Sequence, residues 1–414
     1  MIKKVIEGVN LLRAFSAFLI AGAIAGMLLA NSNQSLYQDI LHWMPVEGLQ
    51  VLGHEFTLHF LVNELFMALF FGIAAKEITE SFLPNGSLSS PRKAMNPLIA
   101  TIGGVLGPIT VFFCLTALVC HFALIPGADW DMLSHAWGVP TATDIALAWL
   151  FAALVFGKEH PAVKFLLLLA VVDDGIGLAI IAIFYGNPLN PAQPEWLLLV
   201  TLAMLVAFGL RLAKVQSWVP YVLVSGTISW IGLTKAHLHP ALALVFVVPF
   251  MPGPKSDKGL FLEEGGTPSH EPKSTLQVFE HRFKAIVDIG LFAFAFANAG
   301  VEVKSIGPMT WVVFFSLLIG KTGGIYLFSR IASRMGFPLP EGMTRRHLFL
   351  TGVIAAIGFT VALFVAGVAF PDVTLQGQGK MGAVFSGAIG FLALVLGQLL
   401  RVQRITSKPP PKKH

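Results

Sequence analysis

The chain has 414 residues, 55% of them hydrophobic and 12% charged, with a mean hydropathy of +0.74. A soluble globular protein carries about a quarter charged residues, so these values exclude a soluble domain and describe an all-α polytopic membrane protein. The net charge of +5 would suit a nucleic-acid partner, but the placement of the charges excludes one.

Windows of about 20 apolar residues suggest about twelve spans. Their limits are 9–30, 57–80, 96–122, 135–157, 162–186, 196–212, 217–234, 238–252, 283–301, 308–330, 347–370 and 380–402. The first apolar stretch is long for a signal peptide and reads as a helix that stays in place. The domain expected is one transmembrane unit over 1–404. Within it, residues 251–284 form the longest polar insertion, with a surface loop over 253–282 rich in Gly, Pro and charge. The tail 405–414 is basic, Pro-rich and expected to be disordered. Cys114 and Cys120 lie six apart in one predicted helix and cannot meet as a disulfide, and no Cys/His pair has metal-ligand spacing.

Basic residues sort by side. Of the 28 Lys and Arg, only Lys235, Lys304 and Lys380 fall on one side and Lys321 alone inside a span; all others flank the opposite ends. The positive-inside rule then puts both termini in the cytoplasm. The alternation supports an even number of spans and accounts for the basic balance without a nucleic acid.

In chain order, the polar residues that enter the apolar windows are few. Glu64 in span two lies about 10 Å from the outer surface, where a wet funnel would tolerate it, and a place on an entry path and no functional role at all are equally open for it. In span four, HAWGVPTATDIALAWLFAALVFG, Gly138 and Pro140 break the helix just before Thr141, Thr143 and Asp144. This reads as an unwound segment leading into a half-helix, whose exposed N–H groups Asp144 would offset. Span five, KFLLLLAVVDDGIGLAIIAIFY, carries Asp173 and Asp174 about 15 Å deep, near the bilayer midplane. Charges there cost several kcal/mol even on lenient scales of about +2.5–3.5 each. Adjacent helical positions point about 100° apart, so the two acids take different partners. Lys321 in span ten is read as the sole basic residue in a membrane interior. It needs an anion or must give up its charge, and Asp173 or Asp174 can serve. In span eleven, Gly358 and Thr360 mark a second interruption. Spans four and eleven occupy matching places in triplets three-to-five and ten-to-twelve, which have opposite orientation, so they imply inverted repeats with an ion site at their interface.

The chemistry of that site follows from its atoms. Carboxylates, the Thr143 hydroxyl and freed backbone carbonyls make an all-oxygen cage for a hard alkali cation. Two neighbouring carboxylates in low dielectric do not both ionise easily, so one holds a proton. Sodium and a proton would compete for the same oxygens, and alternate exposure of one such site to the two sides gives antiport. A plain structural role remains open for several of these groups. Lys321 could chiefly hold helices together, Asp144 could serve a helix dipole, and Thr143 could bond back to its own helix. Gly103, Gly104 and Gly107 read as close helix packing. His237 and His239 fall at a membrane boundary; histidine is the residue type that ordinarily titrates near neutrality, but nothing in the sequence makes these two sensors.

VPTATDIALAW, VVDDGIGLAIIAIFY, LFAFAFANAGV, LLIGKTGG and AIGFTVALFVA, with NGSLSSPRKAMNPLIATIGG at 85–104, together resemble the NhaA-type sodium/proton antiporters of bacterial inner membranes. The similarity runs from about residue 10 to 402. It implies exchange of Na+, with Li+ as a second substrate, for H+ in pH and sodium homeostasis, more than one proton per sodium, no cofactor and a homodimer in the lipid bilayer. Its architecture has two interrupted, crossed helices at spans four and eleven. By position, Asp174 resembles the principal sodium and proton carboxylate, Asp173 its neighbour paired with Lys321, and Thr143 a third contributor to the cation site. Asp144 and Lys321 match charges that compensate the facing helix ends. Glu77 and Glu280 match cytoplasmic-end glutamates of a pH-sensing region.

The chain departs from the family's pattern in several places. ITES follows Glu77 where a Lys-Arg-Glu run is usual, and Glu64 stands for an aspartate after Asn63. His237 stands where a glycine is expected. Asp288 and Lys284 also differ. These changes bear on the pH threshold more than on the central chemistry. Two rival readings are a sodium-coupled organic-anion symporter, which would need a midplane polar pocket beyond Lys321, and an intramembrane aspartyl protease, which would need two acids on facing helices with a water between them.

Overall fold

The computed structural model describes residues 16–51, 54–84, 91–185, 193–254, 274–370 and 372–402. The tail 405–414, most of the loop 253–282 and the basic residues Lys3, Lys4 and Arg13 lie outside the described residues.

The helices follow the apolar windows in order. They are α1 (Ser16–Ser32), α2 (Gln34–Leu41), α3 (Leu58–Ser81), α4 (Pro91–His121), α5 (Trp130–Thr141), α6 (Ile145–Phe156) and α7 (Pro161–Phe184). Then come α8 (Leu197–Leu212), α9 (Thr227–Lys235), α10 (Thr275–Ala299), α11 (Pro308–Arg334), α12 (Arg345–Ala355), α13 (Phe359–Ala369), α14 (Val373–Ser386) and α15 (Ile389–Leu399). Among the described residues, six stretches are single helices long and apolar enough to cross a membrane, and the pairs α5–α6 and α12–α13 bring the number to eight if each is one broken span. Large apolar side chains such as Leu198, Leu205, Ile289 and Phe391 stand exposed on the helix surfaces. Water would penalise that surface, whereas lipid chains accept it.

Three differences from the sequence expectation have local causes. The window 238–252 is not an α-helix but two short 3₁₀ turns, Pro240–Leu242 and Val248–Phe250, separated by turns. Pro240 and Pro249 each remove an amide donor, and 15 α-helical residues would reach only about 22 Å. Helix α10 begins earlier than its apolar window because Ser274 and Gln277 form a reciprocal capping box ahead of a polar first turn, a start signal hydropathy does not register. The final span begins at Val373, so Lys380 lies about 10 Å inside a spanning helix, and Lys321 is not alone there. One antiparallel pair of two-residue strands, β1 (Gln50–Val51) and β2 (His54–Glu55), sits between α2 and α3.

Helices α4 and α11 pack directly on each other. A Cβ added at Gly103 or Gly107 would collide with the carbonyl oxygen of Gly324 or Gly320, and one at Gly324 with that of Gly103. The glycines are therefore what lets these backbones touch, as small residues do between membrane helices. The centre of the molecule is α6, α7, α12 and α13, where Phe156, Leu166, Leu169, Ile354 and Leu363 are fully buried. Among the described residues, three π-helical turns interrupt otherwise regular helices, at Leu61–Phe66, Tyr221–Gly226 and Ser316–Lys321. The first carries Glu64 and the last carries Lys321, in keeping with the tendency of such bulges to fall at functional positions.

Candidate ion-binding site

Helix α7 is capped at its start by His160 and Pro161, which fix its first turn. This capping sets Asp173 and Asp174 as the thirteenth and fourteenth of its 24 residues. Both acids are buried. The broken pair α5–α6 bends by 50° and the pair α12–α13 by 44°, and the two breaks lie against each other. The Asp144 amide donates to the Ile357 carbonyl at 2.7 Å, and the Thr143 hydroxyl donates to the Ala355 carbonyl at 2.8 Å.

Breaking two helices in a low-dielectric interior creates four termini whose backbone groups need partners. Each terminus finds one. Asp144 serves both N-termini: Oδ1 accepts from Leu147 N–H of its own half-helix at 2.9 Å. Its Oδ2 accepts from Thr360 N–H at 3.2 Å and from the Thr360 hydroxyl at 2.8 Å on α13. The C-terminal end of α12 is met by Thr143 and by the Asp144 amide. The end of α5 is met by Lys321, whose Nζ donates to the Thr141 carbonyl. A carboxylate at N-termini and an ammonium at a C-terminus is the arrangement the peptide dipoles favour.

Lys321 also decides between the two central acids. Its Nζ donates to Asp173 Oδ2 at 2.6 Å, both side chains being wholly buried. The sequence alone left either acid as partner, and the geometry selects Asp173. Asp174 lies in the electrostatic reach of Asp173, Lys321 and Asp144. The Oδ1 atoms of Asp173 and Asp174 are buried and have no hydrogen-bond partner among the described residues. Thr143 interacts with the Asp173 carboxylate, and Asp173 in turn acts on Asp174, so two carboxylates and a hydroxyl belong to one electrostatic cluster. An oxygen set of this kind suits a hard monovalent cation or a proton. Among the described residues no group of three or more His, Cys, Asp or Glu gathers as a transition-metal site would need.

The other expected residues fall at two more distant clusters. Glu77 and Glu280 do meet, on Lys76, whose Nζ is 3.1 Å from Glu77, 2.7 Å from Glu280 and 2.8 Å from Glu80. One ammonium thus holds three carboxylates and ties α3 to α10. Glu64 faces His239, at 3.8 Å. Beside it Asn63 Oδ1 accepts from Asn298 Nδ2 at 2.8 Å. His237 adopts φ +56, the left-handed conformation that favours glycine. The Leu238 amide bonds back to Leu233 and that of His237 to Thr234, so His237 closes α9 as a C-terminal cap.

Sequence reading missed two side chains that hold the breaks in place. The Tyr185 hydroxyl, just past α7, accepts from Gly138 N–H at 2.7 Å and donates to the His135 carbonyl at 2.9 Å. A Cβ at Gly138 would press on that ring. Ser386 lies against the start of α13, with Oγ 3.2 Å from the amides of both Gly358 and Phe359. The glycine before Pro140 was a visible signal for the first contact; nothing local announced the second.

Comparison with known proteins gives the family of the chain. Residues 9–400 match the family described as Na+/H+ antiporter 1. A relative from Geobacter metallireducens, named Na(+)/H(+) antiporter NhaA, is 52% identical over 397 residues, covering 96% of this chain and 99% of its own. Another of that name from Desulfitobacterium hafniense is 50% identical over 398 residues, covering 96% and 97%. Among solved structures, the sodium proton antiporter MjNhaP1 from Methanocaldococcus jannaschii has a TM-score of 0.50 at 12% identity over 96% of this chain and 99% of that one, a likeness of fold.

Proposed function

Because this chain belongs to the Na+/H+ antiporter 1 family, we propose that it exchanges sodium, and lithium as a second substrate, for protons across the bacterial inner membrane. It is a multi-pass secondary transporter, not an enzyme. The observation that carries the reading is Asp174, a buried acid whose neighbour Asp173 has already taken the local ammonium. A carboxylate without its own counter-charge in low dielectric is held with a proton or with a cation, and exchanging the two makes it a carrier.

In this reading Asp174 is the alternating ligand, Asp173 lends its free oxygen, and Thr143 completes the cage with a neutral oxygen. Asp144 and Lys321 keep the four helix ends neutral so that the crossed breaks can shift without exposing bare backbone. Glu64 lies on the outer access path. The Lys76 cluster sets the pH at which transport switches on. The basic side of the membrane, with both termini, is cytoplasmic by charge bias. A homodimer, implied by the resemblance, belongs to the same proposal and is read from the mass of the purified protein. The protease rival needs two acids facing each other across a water; here Asp173 is paired with Lys321, and Asp144 accepts three hydrogen bonds.

Everted membrane vesicles loaded with a pH-sensitive dye test the proposal. Asp174→Asn keeps the size of the side chain and removes the titrating charge. Sodium-dependent dequenching is expected to vanish, and exchange at the wild-type level would refute the assignment.

A further inference from the structure

We propose that Ser386 is a positioning residue for cation exchange, acting as the second cap of the α13 half-helix and so setting the electric potential at the carboxylate site. Ser386 is the last residue of α14 and is wholly buried. Its Oγ–H donates to the Ala383 carbonyl at 2.6 Å. That contact fixes the hydroxyl rotor and turns both lone pairs toward α13, where Gly358 N–H and Phe359 N–H each lie at 3.2 Å. A hydroxyl has one donor and two acceptor positions, and all three are used.

The need for a second cap follows from counting donors. The start of α13 presents the amides of Gly358, Phe359 and Thr360 toward a buried junction. Asp144 Oδ2 takes the Thr360 amide and hydroxyl, while Oδ1 is committed to Leu147 of α6. One carboxylate shared by two helix starts does not reach the first two amides of α13, and Ser386 does. Those amides carry the positive pole of the half-helix, close to the acids that hold the ion. Left unpaired, they would add positive potential there, and sodium and proton, both monovalent cations, would each bind less tightly.

The role rests on the exchange reading, so the test separates the two. Ser386→Ala and Ser386→Thr are compared with the wild type in proteoliposomes and by backbone hydrogen exchange of the segment 357–361. For Ser386→Ala the expected result is an apparent KM for Na+ raised about two- to tenfold at alkaline pH. Its half-activation pH should move to a more acid value and exchange of the Gly358 and Phe359 amides should speed up. Ser386→Thr keeps the acceptor and should restore all three. A wild-type KM and pH profile in Ser386→Ala overturns the proposal, as does equal impairment of the two variants, which would mean that volume matters and the hydroxyl does not. Were the wild type to exchange no sodium, the functional reading would fall, and the amide exchange would still decide whether Ser386 caps α13.

Discussion

Lys321→Ala is the sharpest single probe of the buried charge arrangement. The ammonium is wholly buried and bridges the Asp173 carboxylate and the Thr141 carbonyl. Truncation leaves an uncompensated carboxylate and a bare helix end in low dielectric, and breaking such a pair from one side costs about 3–5 kcal/mol. With about 2.1 cal/mol/K of unfolding entropy per residue, 414 residues correspond to ~0.9 kcal/mol per degree. The melting midpoint of the detergent-purified protein should therefore fall by roughly 3–6 °C. The penalty comes from the stranded charge more than from the lost contact, so adding Asp173→Asn should recover most of it. Asp173→Asn alone strands the ammonium and should be destabilised as well. The double-mutant cycle reads the coupling directly. A double variant no more stable than Lys321→Ala alone would refute the pairing argument, since it would show that the loss lies in the aliphatic stem of the lysine.

Two further expectations are independent of that pair. His237→Gly removes a side chain from a left-handed position and should raise stability by up to about 1–2 kcal/mol, seen as a higher melting midpoint; a lower midpoint would show that the imidazole holds more than the backbone strain costs. His160 caps α7 through Nδ1, which accepts from Ala162 N–H at 3.0 Å, so its ring must stay neutral to do so. Burial, and secondarily the neighbouring His347, hold its pKa below the usual histidine value. The neutral form is thus favoured in the fold, and the stability it contributes is present above about pH 6.5 and is lost as the pH falls below it. The wild type should melt earlier at about pH 5.5 than at about pH 7.5, and His160→Asn, which caps without titrating, should flatten that dependence; an unchanged slope would assign the acid sensitivity elsewhere.

Much of this protein was legible in its sequence because the bilayer imposes simple, local rules. Apolar length located the helices, and Gly138–Pro140 and Gly358 located the breaks. A lysine and adjacent aspartates in apolar runs marked the candidate ion site, since such charges are too costly to keep without a partner or a task. The rule failed at 238–252, where apolar composition was present but two prolines prevented a helix. What the tertiary structure decided was which group meets which. Lys321, at the end of the α11 π-turn, pairs with Asp173, and Asp144 serves two helices because the two breaks lie against each other. Ser386 and Tyr185 reach amides 28 and 47 residues away. A backbone amide at a helix break has no identity in the sequence; its partner is whatever donor or acceptor the packing brings within about 3 Å. Hydrophobicity is a property of each residue and can be summed along the chain, whereas saturation of polar groups is a property of pairs and exists only once the helices have packed.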